Sequence, residues 1–430
     1  MKPGIGVVSL GCPRNLVDTE ALLGRLNFKG YPIVDIDKAQ IGIVNTCSFI
    51  KEAKEEAIAA ILDLVELKKE GRLKRVIVCG CLVERYGRTL ARKIPEVDAF
   101  IGVVSLKEAA QRFALTPRHY AYLKICEGCV NNCSYCIISR LKGKFQSLKM
   151  SAAWAQAREF DRQGISELNI IGQDITGYGL DLYGKRRLPE LVKGVLSQAR
   201  NIGWIRLLYL YPGEVVDSLI ELIGSQKRIC KYIDLPLQHI SPRILRLMRR
   251  RSSKDQILRL VDKIRKNIPQ AAIRTSLIVG FPSETEKEFS GLLKFIERVK
   301  FERLGAFVYS REEGTAAYAM RAQVPEAVKR ERFDRLMSLQ QVISSEVNAR
   351  LMGKTLEVLI DEEDAPATAA SGAAGNVYLG RSQYDAPEVD GMVYVHSQKK
   401  LHPGDFVRVK ISDTLEYDLV GTLDVNRGGV

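Results

Sequence analysis

The sequence contains no long hydrophobic run. No window reaches the roughly 18 uninterrupted apolar residues that a membrane-spanning helix needs, so we expect no membrane partner. The first ten residues include a short apolar run but no small-residue cleavage site, which indicates a first strand and not a signal peptide. Together these absences predict a cytoplasmic protein, and disulfide bonds are rare in that compartment.

Cysteine, by contrast, is well represented. The 430 residues include nine cysteines, within an ordinary globular composition of 46% apolar, 7% aromatic and 27% charged residues. A chain of this length accommodates roughly two to four domains. Because disulfides are not expected, nine thiols favour metal or redox chemistry. The alternative is a set of small buried hydrophobic side chains, which we prefer for Cys230.

Charge is distributed unevenly along the chain. The formal net charge is +14, yet residues 354–430 hold 7 Lys and Arg against 13 Asp and Glu, which leaves +20 on the rest. A large positive field favours polyanionic partners such as RNA, or simply keeps a protein soluble. The acidic C-terminal region argues against RNA for that part of the chain.

Residues 1–116 alternate short β-rich runs with helical segments, which predicts an N-terminal doubly wound α/β domain. A cysteine follows each of three predicted strands: Cys12, Cys47 and Cys81. Ligand sites in open α/β sheets lie at the carboxyl ends of strands, so we expect these three thiols to meet. The alternative is three unrelated buried cysteines. Cys79, at the end of the third strand, is expected to face the sheet.

The rest of the chain predicts two further domains. Six βα units in residues 117–350 indicate a central partial parallel (β/α)6 barrel, and a basic amphipathic helix follows its last strand. Alternating strands in residues 351–430 indicate a small antiparallel β-barrel of the oligonucleotide-binding type. The small residues from Ala365 to Gly375 predict a flexible loop between two of these strands.

Four cysteines fall within eleven residues: Cys126, Cys129, Cys133 and Cys136. A structural zinc site usually takes two Cys pairs that are about a dozen or more residues apart, so zinc is not the favoured interpretation. The Cys-x3-Cys-x2-Cys spacing of the last three instead suits a 4Fe-4S cluster held by one loop. Three ligands for four irons leave one iron open to a substrate, and Cys126 is left over.

This spacing after the first strand of a partial barrel resembles that of the radical S-adenosylmethionine (SAM) enzymes. Motifs along nearly the whole chain are similar to those of one group of them, the radical SAM methylthiotransferases, and to its branch that modifies an aspartate of the twelfth small-subunit ribosomal protein. The motifs are Ser9-Leu-Gly-Cys12, Asn45-Thr-Cys47, Gly80-Cys81-Leu-Val, Gly172-Gln-Asp-Ile-Thr-Gly, Asp234-Leu-Pro-Leu-Gln-His239, Ile278-Val-Gly-Phe-Pro, Tyr309-Ser-Arg-Glu-Glu-Gly and Asp385-Ala-Pro-Glu-Val-Asp390.

The resemblance implies SAM and two 4Fe-4S clusters as cofactors, and a C-terminal barrel of the TRAM type. Cys129, Cys133 and Cys136 would hold the radical SAM cluster, whose open iron binds SAM, and Cys12, Cys47 and Cys81 the second cluster. An electron donor such as flavodoxin or ferredoxin is implied as well. Asn15 and Asn45 are candidate hydrogen-bond donors around the second cluster, or turn residues. Lys142 stands where the family usually has an arginine, and it lacks the planar fork of a guanidinium.

Several residues are predicted to contact SAM, and each has a structural alternative. Tyr135 lies between two ligands, where its ring either stacks on adenine or packs under the cluster. Gln173 and Asp174 follow a strand at the barrel mouth, although an aspartate there also caps helices. Arg206 either reaches the SAM carboxylate or forms an interior salt bridge.

Four more features belong to the same region of the predicted barrel. Ser276 and Gly280 lie in the segment that the resemblance places beside the adenine. His239 either lies at the site or is a hydrogen-bonded structural residue. The run Met248-Arg-Arg-Arg251 is interpreted as a solvated face, with RNA contact as the less favoured alternative.

The substrate leaves two alternatives within the family: a ribosomal protein or tRNA. Phosphate contacts dominate nucleic-acid affinity, so a tRNA-modifying relative should have a basic terminal barrel, whereas this one is acidic. An acidic module would repel RNA and attract a basic ribosomal protein, while the positive remainder would face RNA on an assembling ribosomal subunit. Outside the family, the alternatives are a non-catalytic iron–sulfur carrier and a zinc-bearing RNA-binding protein.

Overall fold

The computed structural model describes residues 2–103, 112–363 and 376–424. The N-terminal part consists of four strands and three helices. They are β1 (Ile5–Ser9), α1 (Pro13–Phe28), β2 (Ile41–Thr46), α2 (Lys51–Lys69), β3 (Arg75–Gly80), α3 (Cys81–Lys93) and β4 (Ala99–Ile101).

The N-terminal sheet is parallel, with the order β1-β2-β3-β4, and a single bridge between Ile5 and Ile33 extends it beyond β1. The chain therefore turns outward after α1 and returns to the other side of β1 for β2. The apolar residues of α1 pack with Ile43 and Cys79 on one face of the sheet, whereas α2 and α3 cover the other face. Helices on both faces confirm the predicted doubly wound fold.

The central part contains six parallel strands separated by helices. The elements are β5 (Tyr120–Lys124), β6 (Cys126–Glu127), α4 (Ile138–Leu141), β7 (Gln146–Ser147), α5 (Met150–Arg162), β8 (Glu167–Ile171), α6 (Leu180–Tyr183), α7 (Leu188–Gln198), β9 (Trp204–Leu207), α8 (Asp217–Ser225), β10 (Tyr232–Asp234), α9 (Pro242–Leu247), α10 (Lys254–Asn267), β11 (Ala272–Val279), α11 (Glu286–Val299), β12 (Arg303–Val308) and α12 (Glu326–Ala349).

The six long strands run in the order β5-β8-β9 and β10-β11-β12, and the two halves join where Leu210 N donates to Asp234 O at 3.0 Å. The result is the predicted partial (β/α)6 barrel. Its strands are rich in Ile, Leu and Val because helices cover their outer face. The helix α12 corresponds to the predicted basic amphipathic helix.

The C-terminal part is a closed five-stranded barrel of β13 (Thr355–Glu363), β14 (Asn376–Ser382), β15 (Val393–Ser397), β16 (Phe406–Thr414) and β17 (Leu419–Leu423). Its strand pairs are antiparallel as predicted, except for β15 and β17, which are parallel. The predicted flexible loop from Ala365 to Gly375 lies outside the described residues. Among the described helices, none has the length and apolar character to cross a membrane. The boundaries of the three domains remain predictions.

The C-terminal barrel covers the amino ends of the central strands. The first residue of five strands contacts it through polar groups. These contacts are Tyr120 Oη to Glu388 Oε1 (2.7 Å), Glu167 Oε2 to Arg381 Nη1 (2.7 Å), Trp204 Nε1 to Glu357 Oε2 (3.1 Å), Tyr232 Oη to Asp390 Oδ2 (2.5 Å) and Arg303 Nε to Asp385 Oδ1 (2.7 Å). Through these contacts, four of the thirteen acidic residues of this region bind the chain itself, which weakens the argument that its acidity serves to select a basic substrate.

Candidate functional site

Three thiols meet at the carboxyl ends of β1, β2 and β3. Cys12 caps α1, Cys47 follows β2, and Cys81 begins α3. Gly11 brings the first two loops together, since a Cβ added at that position would stand 2.7 Å from Cys47 Cβ. Burial is the main cause that raises the pKa of Cys81, and the charges of Cys47 and Cys12 raise it further. We call this group the N-terminal triad.

Buried amides fix the loops of the N-terminal triad. Asn15 Nδ2 donates to Leu10 O at 2.6 Å, and Asn45 Nδ2 donates to Asn15 O at 3.0 Å and to Thr19 Oγ1 at 2.7 Å. These two asparagines therefore bind the backbone and helix that hold the cysteines, and neither donates to a thiol. Gly80 passes beside them in the left-handed region at φ +95°.

A second group of thiols comes from the loop between β6 and α4. Asn131 donates to Cys129 Sγ from its backbone nitrogen at 3.4 Å and from its side chain at 3.6 Å. Burial is the main cause that raises the pKa of Cys136, and the charges of Cys133 and Cys129 raise it further. We call these three cysteines the barrel triad. Cys126 stays apart, fully buried in β6, with its Sγ directed at the carbonyl of Asp174 at 3.6 Å.

Charged side chains fill the boundary between the N-terminal sheet and the barrel. Asp18 on α1 accepts from Lys124 and, at 2.9 Å, from Lys142; Glu127 accepts from Lys124 and lies 3.2 Å from Lys142. We call these four residues the charge quartet. Burial raises the pKa of Glu127, but Lys124 and Lys142 outweigh it and hold the pKa at about 2. The quartet thus pairs two lysines with two carboxylates inside the protein.

The thiols differ in acidity for physical reasons. Burial raises the pKa of Cys81 and of Cys136 to about 12, and that of Cys129 to about 11. Burial also acts on Cys12, but the charge and hydrogen bond of Arg14 outweigh it and lower the pKa of this thiol. Cys12 is therefore more acidic than Cys81, Cys129 and Cys136.

The donor set of each triad suits an iron–sulfur cluster. Among the described residues, no group of three or more His, Cys, Asp or Glu side chains is arranged to hold a single metal ion. Each triad consists of three thiols without an oxygen or imidazole donor, and none of these cysteines forms a disulfide. Soft thiolates in threes fit a 4Fe-4S cluster that keeps one iron open.

Two predicted SAM residues lie beside the barrel triad, and a third is held near it. Tyr135 packs on the apolar group that includes Phe281 and Tyr309. Gln173 donates to Glu127 Oε1 at 2.9 Å, while its own Oε1 is buried without a protein partner. Asp174 caps the short turn that begins at Ile175 and accepts from Asn131 at 2.6 Å, so its carboxylate is already engaged.

The other three predicted SAM residues have structural roles. Arg206 is fully buried and donates to Glu167 Oε1 at 2.7 Å and to Gln383 O at 2.8 Å, which places it under the C-terminal barrel. Ser276 accepts from Arg274 at 3.4 Å inside the barrel. A Cβ added at Gly280 would collide with Lys329, so the open side of this glycine faces α12. A role of these residues in SAM binding remains a prediction.

His239 is also internal: its Nδ1 accepts from Ser241 N at 2.9 Å, and its Nε2 stands 3.5 Å from Glu284 Oε1. The interpretation of residues 248–251 as a solvated face was wrong for two of them, since Met248 is fully buried. Arg250 turns inward and its Nη1 lies 3.9 Å from Cys133 Sγ. Arg14, Arg250 and the charge quartet are thus the features of this region that the sequence did not reveal. Most of their partners are distant in sequence, and of these residues the sequence singled out only Lys142, as a departure from the usual arginine, and Arg250, as part of a basic run.

Comparison with known proteins places this site in a family. Three family models match the chain: the radical SAM superfamily over residues 123–296, uncharacterized protein family UPF0004 over residues 5–102, and the TRAM domain over residues 352–423. A structure of the radical SAM methyltransferase TsrM from Kitasatospora setae has a TM-score of 0.50 at 12% identity, and the match covers 83% of this chain and 81% of that one. The fold and the cysteine triads define a radical SAM enzyme.

Curated relatives give the narrower assignment. The protein from Clostridioides difficile is 46% identical over 97% of this chain and 98% of its own length, and that from Caldanaerobacter subterraneus is 47% identical over 97% and 99%. A relative from Geobacter sulfurreducens is 45% identical over 98% and 99%. All three are named ribosomal protein uS12 methylthiotransferase RimO. The chain belongs to the RimO family.

Proposed function

We propose that this chain attaches a methylthio group to the β-carbon of an aspartate in the small-subunit ribosomal protein uS12. One observation carries the proposal. A single chain holds two sets of three thiols, and the side chain of Arg14 reaches from the N-terminal triad to the barrel that bears the other set. Arg14 Nε lies 3.4 Å from Cys12 Sγ, and Arg14 Nη1 donates at 3.2 Å to the carbonyl of Gly172, next to the predicted SAM residue Gln173.

In this proposal the two triads have different tasks. Cys129, Cys133 and Cys136 would hold one 4Fe-4S cluster, and Cys12, Cys47 and Cys81 the other. When bound, the first supplies radical chemistry with SAM and the second supplies sulfur. The surrounding protein orients these groups and excludes water. Asn131 fixes Cys129 through two hydrogen bonds, and the charge quartet keeps the boundary between the triads dry and electrically neutral.

The finer parts of the proposal concern the partners. The names of the relatives favour uS12 over tRNA as substrate, because every relative described above is named for the ribosomal protein. We propose that the protein acts in the cytoplasm, on uS12 that is free or part of an assembling subunit, and that flavodoxin or ferredoxin delivers the electrons. The net charge of +20 outside the C-terminal region is compatible with contact to ribosomal RNA beside the substrate.

A competition between substrates tests the proposal. The full chain is reconstituted anaerobically with iron and sulfide, then supplied with SAM, a strong reductant and equal amounts of a uS12 loop peptide and unmodified tRNA. Mass spectrometry should find the methylthio group on the aspartate of the peptide and none on the tRNA. Modification of tRNA alone would overturn the choice of substrate.

Cysteine variants make the same experiment specific. Cys12→Ala and Cys133→Ala should both abolish product, because each removes one ligand of a different triad. Cys230→Ala is the matched control, since this thiol is buried away from both triads, among Trp204, Tyr232 and Leu359. If Cys12→Ala forms product at the control rate, the N-terminal triad is not needed and the proposal is wrong.

A further inference from the structure

Two arginines that are far apart in the sequence have the same surroundings. Arg14 touches Cys12 Sγ at 3.4 Å, donates to a backbone carbonyl, and lies over the ring of Tyr209 with its Cζ 4.4 Å from the centroid. Arg250 lies 3.9 Å from Cys133 Sγ, donates to a backbone carbonyl, and lies over the ring of Tyr211 at 4.2 Å. Each guanidinium thus contacts one triad, one carbonyl and one tyrosine.

Neither arginine forms an ion pair with a carboxylate among residues 2–103, 112–363 and 376–424. Both are enclosed by protein, and Arg250 Nε is buried without a hydrogen-bond partner. A buried cation without a counter-charge is costly, and a carbonyl dipole or an aromatic ring compensates it only in part. Glu127 acts on Arg14 and Asp174 on Arg250 through charge, without an ion pair, whereas the groups in contact are the sulfur ligands: Cys12 for Arg14 and Cys133 for Arg250. The charge quartet differs, because its lysines are already matched by carboxylates.

The two tyrosines belong to one short segment after β9, residues 208–212, which we call the tyrosine segment. Tyr209 adopts φ +66°, a left-handed conformation that is unfavourable for a non-glycine residue, and its nitrogen donates to Asp234 Oδ2 at 2.8 Å. Tyr211 Oη accepts from the backbone nitrogen of Arg251 at 2.7 Å. Both ends of the segment are therefore fixed, and strain of this kind persists where the surroundings determine the conformation.

We propose that Arg14 and Arg250 are positioning residues, each binding the thiolate side of one iron–sulfur cluster, and that the tyrosine segment fixes the two guanidiniums, and through them the two clusters, relative to each other. The inference deepens the proposed function and rests on its assignment of one cluster to each triad. In this proposal the two iron–sulfur clusters are the anionic ligands of Arg14 and Arg250, neither of which has an ion-paired carboxylate among the described residues. Arg14 in addition joins the N-terminal sheet to the barrel.

The reduction potentials of the two clusters test this pairing. In the reconstituted full chain, Arg14→Gln should shift the N-terminal cluster to a more negative midpoint potential and shift the barrel cluster less, because its guanidinium touches Cys12 Sγ but acts on Cys136 of the barrel triad through its charge alone. Arg250→Gln should do the converse. Arg14→Lys and Arg250→Lys should recover part of the shift. Arg88→Gln, at an exposed arginine of α3, is the control and should move neither potential.

A second readout separates positioning from mere folding. Tyr209→Phe keeps the ring under Arg14, whereas Tyr209→Leu removes it. Hydrogen exchange of the apo chain should therefore rise around residues 9–16 and 204–212 in Tyr209→Leu and Arg14→Gln, and stay at the wild-type level in Tyr209→Phe. In the loaded enzyme, Arg14→Gln should still cleave SAM, but the methylthio product per SAM cleaved should fall on the order of a hundredfold, as for a misplacement of about 1 Å.

The outcomes are distinct. If the wild-type chain holds two clusters and forms product, but neither Gln variant shifts a potential, the pairing is wrong and the proposed function stands. If both Gln variants shift both potentials equally, the arginines act on the whole fold and the specific pairing is overturned. If the wild-type chain holds fewer than two clusters, the proposed function fails, and the pairing fails with it.

Discussion

Lys142 and Asp18 pair across the boundary between the barrel and the N-terminal sheet, with Lys142 Nζ 2.9 Å from Asp18 Oδ2 and both side chains almost fully buried. Lys142 leaves the barrel just after the cysteine loop, and Asp18 lies on the helix that begins at Cys12. The pair therefore ties the backbone of one triad to the backbone of the other. Lys124 and Glu127 complete the charge quartet, so that each buried ion has a partner of opposite sign.

Removal of one carboxylate from the charge quartet should lower the stability of the chain. Asp18→Asn leaves two lysines facing a single carboxylate, and loss of one member of a buried pair costs about 3–5 kcal/mol. We expect the free energy of unfolding of the apo chain, measured in urea, to fall by that amount. Asp63→Asn, at an exposed position of α2, is the control and should change it by less than about 0.5 kcal/mol. Equal stability of the two variants would show that the quartet does not hold the boundary.

The positions of the cysteines in the fold could be predicted because short-range patterns determine them, whereas their role as cluster ligands stays a prediction. Cys12, Cys47 and Cys81 each follow a buried strand, and parallel strands bring their carboxyl ends to one edge, so their meeting follows from topology. The spacing of the barrel triad within one loop is equally local. The strand that covers residues 419–423 was missed, since it pairs in parallel with a strand distant along the chain and leaves no local turn signal.

The contacts of charged side chains were harder to predict, because the partner that an arginine binds is often distant in sequence. For Arg206 the sequence left open SAM or an interior salt bridge, and in the structure it donates to Glu167 and to the backbone of Gln383. Arg250 was expected in solvent, but it follows Arg249 at φ +56°, a local reversal that composition does not predict. The acidic C-terminal region was read as a signal for the substrate, although Asp385 and Asp390 bind arginines of the barrel.

Gly80 should be indispensable to the N-terminal triad. It has φ +95°, and an added Cβ would collide with Asn45 Oδ1 and stand 2.7 Å from Thr46 O, directly before Cys81. Gly80→Ala should therefore lower the iron content to that of the barrel cluster alone. Gly71→Ala shares the positive φ, +77°, but meets nothing within 4 Å, so it should retain all its iron and lose only about 1–2 kcal/mol. Full iron in Gly80→Ala would contradict the described packing.

The C-terminal barrel should be held by its buried ion pairs. Arg303 donates to Asp385 at 2.7 Å, and both side chains are at most 8% exposed. Asp385→Asn should destabilise the chain by about 3 kcal/mol and make residues 376–424 more accessible to protease. Glu159→Gln breaks an exposed pair with Arg162 and should cost at most about 0.5 kcal/mol. Wild-type protease resistance of Asp385→Asn would show that the ion pair does not dock the barrel.

Glu288 should make stability depend on pH in the acid range. Burial raises the pKa of this carboxyl, but Arg243 and the Thr285 backbone lower it from 4.5 to about 2. A carboxyl whose pKa is lower in the folded state stabilises the fold above pH 4.5, and that stabilisation disappears as pH falls toward 2. Glu288→Gln should therefore be less stable than wild type by about 1 kcal/mol at pH 7. A difference between the two proteins that stays constant from pH 7 to about 2 would contradict this assignment.

The most direct test of the account is the iron content of cysteine variants after anaerobic reconstitution, measured together with electron paramagnetic resonance of the reduced protein. The account predicts about eight irons per wild-type chain, about four in a Cys12→Ala, Cys47→Ala, Cys81→Ala variant that still cleaves SAM, and about four in a Cys129→Ala, Cys133→Ala, Cys136→Ala variant that does not. Cys126→Ala should retain all eight or so. About four irons in the wild-type chain, or SAM cleavage without the barrel triad, would contradict the two-site account.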